Sequence, residues 1–189
     1  GLLAPLQKVE LSAASLCLYA GFKGSAAELG LPKTNYWVYP GADHDANTIR
    51  FESGATEQMP MIYISFPSAK DPSWDSRYPH KATVEIVAPT LPSLFAQWKG
   101  STWGKRGAEY DALEAKLTAE LLETLYRFYP QLRDALDFCE LGTPLSTITL
   151  IVRELEKGID PASATGADIR TLREQTQRCR DILSKLTQL

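Results

Sequence analysis

Three cysteines and two histidines are the side chains of this sequence best suited to nucleophilic, acid–base or metal chemistry. Cys17, Cys139 and Cys179 stand far apart, with no CxxC pair and no Cys/His cluster of zinc-site spacing. Reduced thiols without a metal are therefore expected. His44 ("GADHDAN") and His80 ("SRYPHKA") both sit in polar, turn-rich surroundings. As surface histidines they need a partner before they count as acid–base groups. No GxGxxG follows an early strand, so the dinucleotide fingerprint is missing. From these residues alone no catalytic set and no metal site can be nominated.

The elements that must position any site come next. The chain has 189 residues, 44% hydrophobic and 23% charged, which is the composition of a globular protein. A net charge of −3 and a pI of about 5.5 argue against a nucleic-acid binder, which would carry a basic face. Apolar runs such as "ITLIV" (148–152) are too short to span a bilayer. The opening "GLLAPLQKVEL" lacks the basic start and apolar core of a signal peptide, and reads equally as an internal cut point. A cytoplasmic setting is expected, with membrane-peripheral attachment as the variant.

Strands are expected at 14–22, at "NYWVYPG" (35–41), at "MPMIYISFPS" (59–68) and at "ATVEIVAP" (82–89). In the last of these, Val84, Ile86 and Ala88 alternate with Thr83, Glu85 and Val87, so its two faces should differ. The stretch 68–81, with two prolines, reads as a long loop of the kind that often carries function. Residues 107–130 place Leu113, Leu117, Leu121, Leu122 and Leu125 on one helical face, between Gly107 and Pro130 as start and stop signals. That stripe is core packing rather than a ligand box.

After Phe138 the composition changes. All 18 aromatic residues lie at or before it. Residues 144–189 carry 7 Lys/Arg against 6 Asp/Glu, whereas the preceding 143 carry 13 against 17. The tail shows two heptad seams, Leu141-Leu145-Ile148-Val152-Leu155-Ile159 and Ile169-Leu172-Thr176-Cys179-Leu183-Leu186. "GIDPASATG" (158–166) turns between them. The expected fold class is α+β: a partial antiparallel or mixed sheet with helices over 1–143, then an antiparallel helical hairpin over 144–189. Such a hairpin cannot bury both stripes alone, so a homodimer through 144–189 is expected. Pro144 either opens the first helix or kinks it.

Residues 1–147 resemble the C-terminal half of FAD-dependent carotenoid isomerases, phytoene-desaturase-like enzymes and retinol saturases. The residues that carry this are "LYAGFKGSAAELGLPKTNYWVY" (18–39), "ISFPSAKDPSWDSRYPHKATVEIVAP" (64–89), "WGKRGAEYDALEAKL" (103–117) and "YPQLRDALDFCELGTPLST" (129–147). The resemblance implies the substrate-binding portion of a much longer oxidoreductase acting on carotenoid- or retinoid-type polyenes. It offers Lys105, Arg106 and Trp103 as substrate-domain candidates. The family's closing glycine-rich FAD segment should follow TPLST and does not. FAD is thus implied by the resemblance only, no flavin is expected on this chain, and catalysis by the chain alone is not expected.

Residues 140–189 resemble the dimerisation and phosphotransfer hairpin of redox-responding sensor histidine kinases, through "ELGTPLSTITLIVRELEKGID" (140–160) and "DIRTLREQTQRCRDILSKL" (168–186). In that family a His-Glu-Leu-Gly-Thr-Pro-Leu box holds the phosphoacceptor. Here Cys139 occupies the histidine position, with Glu140 beside it. A thiol does not replace an imidazole as ordinary phosphoacceptor, so the pair is not expected to function. Three readings follow: an oxidoreductase portion, a signalling and dimerisation module, or a fusion without selected function. The two resemblances differ on residues 138–144, which are strand in the first and helix in the second.

Overall fold

The computed structural model of the chain describes residues 14–98, 101, 105–142, 152, 159–160 and 163–186. Two compact units divide it, Ala13–Leu141 and one that takes in residues 142–189.

The first unit is α+β. Its elements are β1 (Ala14–Lys23), β2 (Tyr36–Val38), α1 (His44–Glu52), β3 (Ile62–Ser65), α2 (Pro67–Lys70), α3 (Trp74–Arg77), β4 (Lys81–Thr90), a 3-10 segment (Pro92–Trp98), α4 (Ala108–Phe128), α5 (Leu132–Ala135) and β5 (Leu136–Gly142). Five strands form one sheet in the order β2-β3-β4-β1-β5. The β2–β3, β3–β4 and β4–β1 ladders are antiparallel.

Period-two alternation decides which side of this sheet is dry. In β4 the even positions Ala82, Val84, Ile86 and Ala88 are buried and the odd ones are half-buried or exposed. Leu18 pairs with Ile86, and Ile86 with Ile64, so the inner face is aliphatic across three strands. Leu117, Leu121, Leu122 and Leu125 of α4 join these residues in one apolar cluster, with Leu113 at its margin. The expected leucine stripe is therefore core. Removing such a side chain, as in Leu121→Ala, typically costs about 2–5 kcal/mol.

The stretch 68–81 departs from the expected long loop, because it carries α2 and α3. Pro67 supplies the fixed φ of a first helical residue. Register between β3 and β4 stops at Ser65–Glu85. Beyond it, the Ser68 hydroxyl accepts from the Thr83 N–H at 2.9 Å and donates to the Thr83 carbonyl at 3.3 Å. The Trp74 indole then donates to the Lys81 carbonyl at 2.8 Å. Side chains of the PSAKDPSW block thus do for β4 what backbone would do had β3 continued.

His44, expected in a turn, opens α1 instead, where the Asp43 carboxylate caps the helix by accepting from the Ala46 N–H at 3.0 Å. Cys139 and Glu140 lie in β5, so residues 138–142 are strand, as the oxidoreductase resemblance implies.

In the second unit, α6 (Ala164–Leu186) spans the second heptad seam, where the sequence predicts the second limb of a hairpin. Ser163 caps it, its hydroxyl accepting from the Gly166 N–H at 3.0 Å. Ile169 and Thr176 of the seam are buried, whereas Leu172 is 46% exposed. Val152 is helical and buried. The rest of the first limb, Pro144 and the side chain of Cys179 lie outside the described residues. Among the described residues no helix is long and apolar enough to cross a membrane.

Ser68→Ala should lower unfolding free energy by about 0.5–1.5 kcal/mol, since the half-buried Thr83 amide and carbonyl both lose their side-chain partner. Urea denaturation checks this; a midpoint equal to that of the parent chain would show that water replaces the hydroxyl without cost.

Candidate functional site

The sheet's second face is built from the other residue parity. Trp37 pairs with Tyr63, Tyr63 with Val87, and Val87 with Cys17, which lays one aromatic and apolar row across four strands. The Trp37 and Tyr63 rings lie 4.8 Å apart, and Trp37, on the edge strand, is 57% exposed. Along the row burial increases: Tyr63 and Val87 are half-buried and Cys17 is buried. Burial pushes the Cys17 thiol up, partly offset by a hydrogen bond with Tyr19.

Two residues further along lies a polar row. Ser65 pairs with Glu85, and Glu85 with Tyr19. Asn35 directly precedes β2, next to Tyr36, which pairs with Ile64. Lys70, the last residue of α2, donates from Nζ to Ser65 Oγ at 2.9 Å and to Asn35 Oδ1. A one-turn helix directly after β3 brings the chain back over Ser65, and that return places the ammonium. Both acceptors are neutral, and among the described residues Lys70 has no ion pair.

The expected substrate-domain residues lie elsewhere. Lys105 is exposed, and Arg106 stacks on Tyr110 with its guanidinium carbon 4.5 Å from the ring centroid. Arg106 Nε is buried with no hydrogen-bond partner among the described residues. Both precede Gly107, whose φ of 87° lets the chain turn into α4. Trp103 lies outside the described residues. Lys70 and Asn35 were not singled out from sequence. The available signal was a polar Ser65 ending an otherwise apolar strand, with lysine one helical turn later.

Cys139, at the phosphoacceptor-equivalent position, packs against the core, and burial pushes its thiol up. Burial also raises the Glu140 carboxyl. This is a shielded strand environment, not an exposed helical nucleophile with an orienting carboxylate. His80 does have a partner: its Nδ1 lies 3.3 Å from Glu28 Oε1. The backbone at His80 has φ 55°, while Gly24 N–H donates to its carbonyl at 2.8 Å. The Ser25 amide, above all, holds the Glu28 carboxyl below its usual range. Deeper in the unit, the Tyr36 and Tyr129 hydroxyls share a 2.6 Å hydrogen bond, and burial together with that bond pushes the Tyr129 phenol up. Among the described residues no group of three or more His, Cys, Asp or Glu could hold a metal.

In sequence the chain is similar to a class of retinol reductases. It is 33% identical over 128 residues to the all-trans-retinol 13,14-reductase of Homo sapiens, covering 66% of this chain and 21% of that protein. Against the Rattus norvegicus protein of the same name, identity is 32% over 145 residues, 75% of this chain and 24% of the relative. The chain thus spans under a quarter of the length of these relatives. Separately, 47 residues are 47% identical to sensor histidine kinase RegB of Cereibacter sphaeroides, covering 25% of this chain and 10% of the kinase. No family model matches the chain.

In a Cys179→Ser chain at pH 7.5, Cys17 and Cys139 should react with a chromogenic disulfide reagent several-fold more slowly than after unfolding in urea, because a raised thiol pKa leaves little thiolate. Equal native and unfolded rates for Cys139 would mean that β5 does not shield it.

Proposed function

We propose that residues 1–143 are the substrate-side portion of an FAD-dependent oxidoreductase acting on retinoid- or carotenoid-type polyenes. The observation that carries this reading is the similarity to retinol 13,14-reductases over two thirds to three quarters of the chain. The Trp37–Tyr63 pair on the second sheet face is in keeping with it, since a flat polyene stacks on aromatic surface. The described residues do not suit the flavin itself. A flavin dinucleotide's pyrophosphate takes a glycine-rich turn between a strand and a helix of a parallel unit. The assigned ladders here are antiparallel and the sequence has no GxGxxG. On this reading the flavin and the redox step belong to a longer enzyme, and the chain contributes polyene binding and orientation.

Binding is tested by titrating the purified chain with all-trans-retinol and following tryptophan fluorescence. Saturable quenching is expected, weakened at least several-fold by Trp37→Ala. Added FAD should remain free and retinol should not be turned over in the presence of a reductant. Absence of any retinoid binding, or a flavin that copurifies, overturns the reading.

A second reading concerns 144–189 and rests on the RegB similarity. We infer that this segment is a dimerisation hairpin joined to the oxidoreductase portion near residues 140–147, making the chain a fusion that self-associates without phosphotransfer. The capped, amphipathic α6 is in keeping with it. Light scattering behind size exclusion should give about twice the 20.9 kDa chain mass at micromolar concentration. A monomer there rejects the hairpin as a homodimer.

A further inference from the structure

Lys70 is placed as a strand tie, yet it offers more than a tie requires. An ammonium has three protons, and Lys70 Nζ gives two of them, to Ser65 Oγ and Asn35 Oδ1. Neither acceptor cancels its charge, and among the described residues no carboxylate lies within ion-pair distance. Ser65 belongs to the second sheet face, and Asn35, just before β2, shares the Lys70 ammonium with it. The ammonium is thereby held over that face. On the same strands the next residues of that parity are Trp37 and Tyr63. Two residues of strand are about 7 Å, so charge and exposed aromatic pair stand side by side at the edge.

We propose that Lys70, held by Asn35 and Ser65, is the head-group subsite for a hydroxyl-terminated polyene whose apolar body lies on Trp37 and Tyr63. This rests on the retinoid reading above and deepens it. Charge and shape select the occupant. A polyene body matches an exposed aromatic pair, and an oxygen at its end can accept from the remaining Lys70 proton. Glu85, paired with Ser65, lies on the same face but outside ion-pair distance of Lys70. The hydroxyl end is taken from the similarity to retinol reductases, and a carboxylate end would also pair with the ammonium. A covering segment of a longer protein, as alternative occupant, would need to bring an acceptor to the same ammonium.

The test compares all-trans-retinol with anhydroretinol, the same kind of skeleton without the oxygen, by tryptophan quenching on the full chain. Retinol should bind about tenfold tighter, the scale of one hydrogen bond to a charged donor. Lys70→Met should abolish the preference while leaving anhydroretinol affinity within about twofold, and Lys70→Arg should keep most of it. A purely structural tie would lower both affinities together in Lys70→Met. Equal affinity of the parent chain for both ligands overturns the subsite and leaves the retinoid reading standing, and it decides the matter even if Lys70→Met does not fold. Binding of neither ligand overturns both. Retinol preference that survives in a folded Lys70→Met chain assigns the head group to another residue and overturns the subsite alone.

Discussion

Ten consecutive residue pairs between β1 and β4, from Ala14–Thr90 to Lys23–Lys81, are the constraint on which the first unit depends. A shift of one residue would present Glu85 and Thr83 to the core and Ile86 to the other face. Everything that follows inherits this register. β3 reads it through Ile64–Ile86, β2 reads it through Tyr36–Ile64, and α4 meets an aliphatic surface only because the parity is correct. The second face inherits it too, since Trp37, Tyr63, Val87 and Cys17 line up only in this register.

Much of this was legible from residue order. Alternation in 82–89 and the leucine spacing of 107–130 each have one geometric solution, so β4 and α4 fall where expected. The parts that were not legible depend on contacts between distant residues. The stretch 68–81 looked like loop because prolines and polar residues dominate it, yet Ser68 and Trp74 are polar for the sake of Thr83 and Lys81. The candidate site was hidden for the same reason: Asn35, Ser65 and Lys70 converge through register and one helical turn, which no local window displays. Lys105 and Arg106 were offered by the oxidoreductase resemblance; Arg106 stacks on Tyr110, whose ring lies 5.2 Å from that of Trp98.

The place where the two resemblances meet has a physical side. Cys139 could be read with its left neighbours as strand or with its right neighbours as helix. Strand prevails through Gly142 because Leu141 is buried with the core and Cys139 packs against it, contacts that a helix starting there would forfeit. Ser163, Gly166 and Ala167 show that α6 has its own start signal, so its helix does not rely on continuity from β5.

The Ser68 and Trp74 bonds to β4 bear on how the chain behaves among copies of itself. A strand that outruns its neighbour leaves amides and carbonyls free to recruit a foreign strand, the first step of edge-to-edge polymerisation. Here the overhang of β4 past Ser65 meets a hydroxyl and an indole, which saturate Thr83 and the Lys81 carbonyl but, unlike a backbone, cannot propagate a ladder. The block that ends β3 therefore also acts as a gatekeeper, closing that stretch of the sheet to accretion.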